Sequence, residues 1–459
     1  MKNSQNNGII ALSTFISERE NILMNIILLS GGSGKRLWPL SNDIRSKQFI
    51  RIFENENGER ESMVQRVYRQ IKSVDTDAKI TIATSKKQAS AIKNQLGEKV
   101  SICTEPARRD TFPAIALASA FLKDKENIGL DEPVIVCPVD PFVDDDYFEA
   151  IKNLSSLVEK GDFKLNLMGV EPDEPSEKFG YIIPETKDAH SKVAEFKEKP
   201  DTETAKKYIA DGALWNCGIF GFKLGYLLDI AHKLIDFTDY SDLYNKYETL
   251  TKISFDYAVV EKESAIQVMR FNGRWKDVGS WNTFTDELQN KIVGNCITDD
   301  KCDNTSILNE LNIPILVMGM KDAVIAASSD GILVSSREES DKIKPYVDKM
   351  DNMAMFEEKS WGNYTVLDIQ DGNMTVKITL RKGQQLSYHS HELRDEVWTI
   401  VSGTGYAVID GVKKALAPSD TLMIKSGIKH KAFAETELCI IENQIGMKLF
   451  ASDKIKYDE

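Results

Sequence analysis

The stretch "NIILLSGGSGKRLWPLSNDIRSKQF", residues 25–49, decides the fold. It opens as an apolar run of strand length and breaks into glycines at 31, 32 and 34. Lys35, Arg36, Arg45, Lys47 and, just beyond, Arg51 then crowd the chain. Glycines place no Cβ between backbone N–H groups and an anion, so this loop is suited to phosphate. Each charged hydrogen bond from the basic residues would add about 1.5–3 kcal/mol. Familiar phosphate motifs do not fit. A P-loop would need glycine at Leu29 and Ser or Thr at Arg36, and the dinucleotide fingerprint would need glycine at Leu37. The downstream segments of a protein kinase are absent. On these residues alone, a tight turn followed by a solvated basic strip remains the alternative.

Outward from this loop, strand and helix patterns alternate. "KITIATS", "KVSICTEP" and "PVIVCPVD" read as strands; "SMVQRVYRQIKS", "KKQASAIKNQL" and "PAIALASAFLKD" read as helices, the last with Pro113 in its first turn. This order predicts an α/β, Rossmann-like domain with a mostly parallel sheet. Ligands bind beyond the carboxyl ends of such strands, which is where both "SGGSGKR" and "CPVD" fall. Residues 24–290 are assigned to this domain. Short β-rich pieces such as "IPILVMG" mark a connecting region at 291–355. From 356 to 459 the helical pattern disappears, and turn-punctuated strands predict a small β-barrel.

Composition narrows the function. A chain of 459 residues suggests two or three domains, and 42% apolar residues suffice for sizeable cores. A net charge of −13 excludes a broad nucleic-acid-binding face but not one nucleotide in a locally basic pocket. No apolar run approaches the roughly 18 residues of a membrane span, so no membrane association is expected. The six cysteines are scattered without a CxxC pair, the usage of free thiols in a reducing cytoplasm. Residues 1–23 lack the basic start and apolar centre of a signal peptide, and Met24 stands directly before the first strand. They are expected to be a dispensable extension.

"LLSGGSGKRLWPLS…KQF" closely resembles the signature of sugar-1-phosphate nucleotidyltransferases, specifically the mannose-1-phosphate guanylyltransferase branch. "EPARRDTFPAIALA" (105–118), "PVD" (138–140), "FKEKPD" (196–201), "WNCGIFGF" (215–222), "FDYAVVEK" (255–262) and "DVGSW" (277–281) agree in order. The resemblance implies a GT-A-like fold and attack of a sugar-1-phosphate, here mannose-1-phosphate, on the α-phosphorus of GTP. It implies that Gly31, Gly32, Gly34, Lys35 and Arg36 hold the triphosphate and that Lys47 steadies charge at the α-phosphate. Glu105, Arg109, Asp110 and Thr111 would complete the nucleotide site. Asp140 and Asp277 would hold Mg²⁺. Lys199 would anchor the sugar phosphate, while Glu198 and Asn216 would bind sugar hydroxyls. The chain departs from the family pattern at Ser46 (usually proline), Pro141 (usually histidine) and Cys217 (usually serine).

In the barrel, "GQQLSYHSHELRDEVWTIVSG" (383–403) fits the cupin spacing G-x₅-H-x-H-x₄-E-x₆-G. Strand alternation puts His389 and His391 on one face. With Glu396 and His430 they form a donor set for Zn, Mn, Fe, Co or Ni. The barrel resembles the type II phosphomannose isomerase that the guanylyltransferase family often carries. Here His389 stands at the usual glutamine and Val397 at the usual histidine, and the sequence ends at "ASDKIKYDE" without the arginine-bearing tail. An isomerase and a ligand-binding or oligomerising barrel are therefore competing expectations, a non-catalytic sugar-nucleotide sensor is the alternative for the whole chain, and a homo-oligomer is expected.

Overall fold

Residues 23–457, except 33, 43, 351–352, 448 and 450–452, are described by the computed structural model. The proposed extension therefore lies, but for residue 23, outside the described residues. Strand β1 (Asn25–Ser30) is covered on both faces. Ile26 and Leu28 enter one apolar core and Ile27 the other, which explains an unbroken apolar run where a one-sided strand would alternate. β1 runs parallel to β2 (Lys79–Ser85) on one side and to β4 (Pro133–Pro138) on the other, with β3 (Ser101–Glu105) parallel beyond β2. Helices α1 (Met63–Val74), α2 (Ala89–Leu96), α3 (Thr111–Asp124) and α4 (Asp145–Lys160) lie between and after these strands. α1 begins with a capping box between Ser62 and Gln65 and buries Val64, Val67 and Ile71 along one face.

Beyond β4 the sheet changes character. It continues with β5 (Leu165–Val170), β6 (Gly180–Pro184), β7 (His190–Glu198), β8 (Leu214–Lys223) and β9 (Ile266–Phe271), in the order β3-β2-β1-β4-β8-β5-β9-β7-β6. β8 is antiparallel to both β4 and β5, and β7 to both β6 and β9; only β5 and β9 pair in parallel. The sheet is thus mixed rather than mostly parallel. A short turn at residues 185–189 joins β6 to β7, and antiparallel neighbours need no helical crossover.

The connecting region is a short parallel solenoid. Ile292 lies beside Ile307, Cys296 beside Ile315, and Ser306 beside Val324, before Gly331–Ser336 turns back antiparallel to Ala323–Ser328. The barrel consists of a six-stranded and a five-stranded sheet. His389–His391 pairs with His430 in the smaller sheet, and Glu396 comes from Arg394–Ser402 in the larger. Among the described residues, no helix is long and apolar enough to cross a membrane.

One apolar cluster joins the first domain to the solenoid. Leu37, Leu40, Phe53, Phe142 and Trp281 pack with Leu308, Val324 and Ala326. Trp281 is fully buried, sits edge-on to Phe284, and donates its indole N–H to the Trp38 carbonyl at 3.3 Å. Trp281→Ala is expected to cost about 3–5 kcal/mol. Denaturant unfolding followed by circular dichroism checks this, and a loss below about 1 kcal/mol would show that the cluster does not join the two units.

Candidate active site

The glycine loop leaves the carboxyl end of β1, and Asp140 follows the carboxyl end of its neighbour β4, where the Val139 N–H donates to the Leu29 carbonyl at 3.1 Å. Gly32 and Gly34 take positive φ angles of 136° and 62°. A Cβ on Gly34 would stand 2.5 Å from the Asn42 carbonyl oxygen, so only glycine fits there. The Gly32 carbonyl accepts hydrogen bonds from Ser46 Oγ at 3.0 Å and from the Arg108 guanidinium at 2.9 Å. Among the described residues the N–H groups of Gly32 and Gly34 have no protein partner. That arrangement leaves donors for an anion.

Asp277 reaches the same place from far along the chain. Trp275–Asp277 pairs antiparallel with Pro141–Val143, with Asp277 opposite Pro141, so the ribbon sets Asp277 next to Asp140. Lys47 Nζ lies 3.0 Å from Asp140 Oδ2 and 3.9 Å from Asp277 Oδ1. Burial opposes ionisation of Asp140, but Lys47, helped by Arg36, overcomes it and holds the carboxyl below its ordinary value. At Asp277 burial prevails over Lys47, and the charge of Asp140 adds to it, so this carboxyl is raised. Two neighbouring carboxylates in a cationic cleft are an oxygen donor set suited to a hard divalent cation.

Two joined cavities open at this point. One of about 850 Å³ is lined by Arg36, Lys178, Phe179, Trp275 and Asp277, among others. The other, about 250 Å³, shares the last four and adds Thr111, Asp140, Glu198, Asn216 and Asp256. Asn216 enters because β8 bulges between it and Phe220, with Gly218 at φ 73°. Its amide donates to Asp256 Oδ1 at 2.8 Å. Lys199, itself at φ 46°, pairs with Glu198. Burial works against the Lys199 charge, but Glu198 outweighs it and raises the ammonium's pKa.

Other expected residues lie elsewhere. Lys35 forms an ion pair with Asp348 at 2.9 Å. Arg109 donates to the Glu248 carbonyl, and Glu105 accepts from Tyr247 Oη at 2.6 Å. Asp110 caps α3 by accepting from the Thr111 N–H. Neither cavity is lined by Glu105, Arg109 or Asp110, nor by Lys47, Arg108, Lys199 or the loop glycines, which border the cleft through their contacts with Asp140, Gly32 and Glu198. Arg45 and Arg51 point away from the cleft, toward Glu310 and Glu358. Arg108 and Asp256 are site residues that the sequence reading left without roles. Both lie inside quoted segments, "EPARRDT" and "FDYAVVEK", but spacing alone could not select Arg108 over Arg109.

In the barrel, His389, His391 and His430 are buried, with ligating nitrogens within 4.8 Å of one another. Each Nδ1 is held by a backbone carbonyl, of Ser387, Asp453 and Ile428 respectively, and the Nε2 of His391 meets the Arg394 guanidinium at 3.0 Å. His430 Nε2 is buried 3.2 Å from Glu396 Oε2, outside hydrogen-bond geometry. The converging imidazoles, with a carboxylate beside them, fit a transition-metal ion. Glu396 turns its carboxylate toward the Nε2 atoms of two of them. It contacts His391 at 3.0 Å and His430 at 3.2 Å, and also accepts from Arg394 and the Trp398 indole.

Comparison with known proteins agrees with both halves. The nucleotidyl transferase family profile matches residues 25–292, and the mannose-6-phosphate isomerase C-terminal profile matches residues 348–459. The mannose-1-phosphate guanylyltransferase of Escherichia coli K12 is 30% identical, over 94% of this chain and 97% of its own. The xanthan biosynthesis protein XanB of Xanthomonas campestris (strain B100) is 30% identical over 94% and 98%. A crystal structure of a mannose-1-phosphate geranyltransferase from Thermus thermophilus shares the fold, with TM-score 0.59 and 24% identity over 72% of this chain and 99% of that one.

Two outcomes follow from this geometry. Burial, reinforced by the charge of Glu198, pushes the Asp256 carboxyl up to about 7. Below that pH the group carries a proton and can donate to a sugar hydroxyl; above it the group only accepts. The KM for a sugar-1-phosphate should therefore bend near pH 7, and Asp256→Asn should remove the bend; an unchanged profile in that variant refutes the assignment. In the barrel, His391→Ala should lower bound transition metal, measured by mass spectrometry of dialysed protein, by roughly tenfold or more.

Proposed function

The chain belongs to the nucleotidyl transferase family, and from that premise we propose that it transfers a guanylyl group from GTP to mannose-1-phosphate. A phosphate oxygen of the sugar attacks the α-phosphorus. The bond from that phosphorus to the bridging oxygen breaks, pyrophosphate leaves with the electron pair, and GDP-mannose remains. The observation that carries this reading is Lys47 within 3.0 Å of Asp140 and 3.9 Å of Asp277, two carboxylates that line the same cavity as Asn216 and Glu198.

The chain's residues answer the main difficulty, which is bringing two polyanions together in line. Glycine-loop amides and Arg36 hold the triphosphate. Lys47 stabilises the charge that builds at the α-phosphate. Asp140 and Asp277 would hold Mg²⁺, which supplies further charge neutralisation when bound. Lys199 takes the sugar phosphate, and Glu198, Asn216 and Asp256 hydrogen-bond sugar hydroxyls. Guanine and mannose rest on the names of the relatives. The six unpaired thiols support a reducing, cytoplasmic setting.

A second activity, interconversion of mannose-6-phosphate and fructose-6-phosphate in the barrel, is supported by the converging imidazoles and the profile match over residues 348–459. Loss of isomerisation in His391→Ala, with guanylyl transfer intact, would support it.

Pyrophosphate release from GTP and mannose-1-phosphate tests the main reading, with other triphosphates and hexose-1-phosphates as the specificity panel. Lys47→Ala should lower turnover by on the order of 10²–10³. Failure of every pair to release pyrophosphate in the unaltered protein would overturn the proposal.

A further inference from the structure

A separate cavity of about 600 Å³ lies behind the glycine loop, where the first domain, the solenoid and the first barrel strand meet. Three guanidiniums line it: Arg45, Arg51 and Arg60. Arg45 forms a two-pronged ion pair with Glu310, at 2.7 and 2.8 Å, and lies over the Phe356 ring at 5.4 Å. Its Nε is buried without a partner among the described residues. Arg51 is only within 4.0 Å of Glu358. Arg60 is exposed and, among the described residues, has no carboxylate partner. Asn312 adds an amide suited to hydroxyl groups, while the Asn309 amide is spent on the backbone of Asn295, Leu311 and Ile313. Guanidiniums with spare donors beside such an amide match a phosphate ester on a polyol.

The cavity wall is also the segment that carries Lys47. The Asn42 side chain accepts from the N–H groups of Ile44 and Arg45, at 2.8 and 2.7 Å, and donates to Asp330 at 2.6 Å. Its backbone carbonyl is the one against which Gly34 packs. A ligand that competes with Glu310 for Arg45 therefore acts on a segment tied at one end to the glycine loop and at the other to Lys47. We propose that this junction cavity binds a small organic phosphate, a hexose phosphate or a nucleoside diphosphate, and that its occupancy alters turnover through residues 42–47. The binding is independent of the transfer reaction, whereas the effect on turnover rests on the proposed function.

The test uses the full chain carrying Lys47→Ala and His391→Ala, which weakens phosphate binding in the cleft and the barrel. Glucose-6-phosphate and GDP are titrated calorimetrically, then again after adding Arg60→Glu or, as a second variant, Asn312→Asp. Binding of one probe that is weakened roughly tenfold or more by either change supports the site and names the ligand class. Binding of both probes left unchanged by both substitutions, or no binding of either probe, overturns it. In an otherwise unaltered chain, Arg60→Glu should keep basal pyrophosphate release within about twofold. It should also remove the response of turnover to the binding probe. A response that persists in Arg60→Glu overturns the regulatory role, whereas absent pyrophosphate release in the unaltered protein overturns the transferase reading and leaves the binding result standing.

Discussion

Two carboxylates held side by side in a cleft meant for polyanions are the constraint on which this structure turns. Asp140 and Asp277 repel each other and would repel phosphate. The fold forces them together through the small ribbon of Pro141–Val143 and Trp275–Asp277. Lys47 makes the arrangement tenable, being 3.0 Å from one and 3.9 Å from the other. The result is unequal: Asp140 stays readily ionised while Asp277 is raised. An added divalent cation would relieve the repulsion that remains, so the pair is arranged for a charge it does not itself contain.

Much of this was legible in the chain, and the rest had physical reasons to stay hidden. A buried strand running into glycines announces a loop at a strand's carboxyl end, and β1 delivers it. Alternation put His389 and His391 on one face, and they sit there with His430 opposite. Sheet direction beyond β4 was hidden, because a strand's sequence records burial rather than the direction of its neighbour. The split between Arg108 and Arg109 was hidden too. Adjacent residues in an irregular segment diverge, and one reaches Gly32 while the other reaches Glu248. Composition grouped Lys35, Arg36, Arg45, Lys47 and Arg51 as one basic strip, but carboxylates elsewhere in the chain sort them. Asp348 takes Lys35 and Glu310 takes Arg45, leaving Arg36 and Lys47 for the cleft.

The departures from the family pattern can be weighed in the same terms. Ser46 stands where proline is usual, and its hydroxyl donates to the Gly32 carbonyl, a tie that proline could not make. Cys217 is buried and forms part of the small cavity's wall, so it changes shape there more than charge. Pro141 lacks an N–H, yet it sits in a two-stranded ribbon with a single partner strand, where a missing donor is tolerated. Ser46 and Cys217 remove no charged group from around Lys47; Pro141 removes an ionisable imidazole beside Asp140 but leaves Lys47, Asp140 and Asp277 in contact. The reaction class therefore survives them, while the shape of the sugar cavity is where they can act.

The sorting of the basic strip bears on why a solenoid and a barrel share this chain. If the solenoid were a passive spacer, the loop between Gly34 and Lys47 would need no partners outside its own domain. Instead Asn42 is held by Asp330 and Arg45 by Glu310, both supplied by the solenoid, and Asp330 also accepts from the Met355 N–H at the approach to the barrel. The segment thus lies between the glycine loop on one side and a basic junction on the other. The junction and the cleft share no lining residue, so what connects them is the chain itself, from Asn42 and Arg45 at the junction to Lys47 beside Asp140. The solenoid therefore helps to hold the strip that carries Lys47.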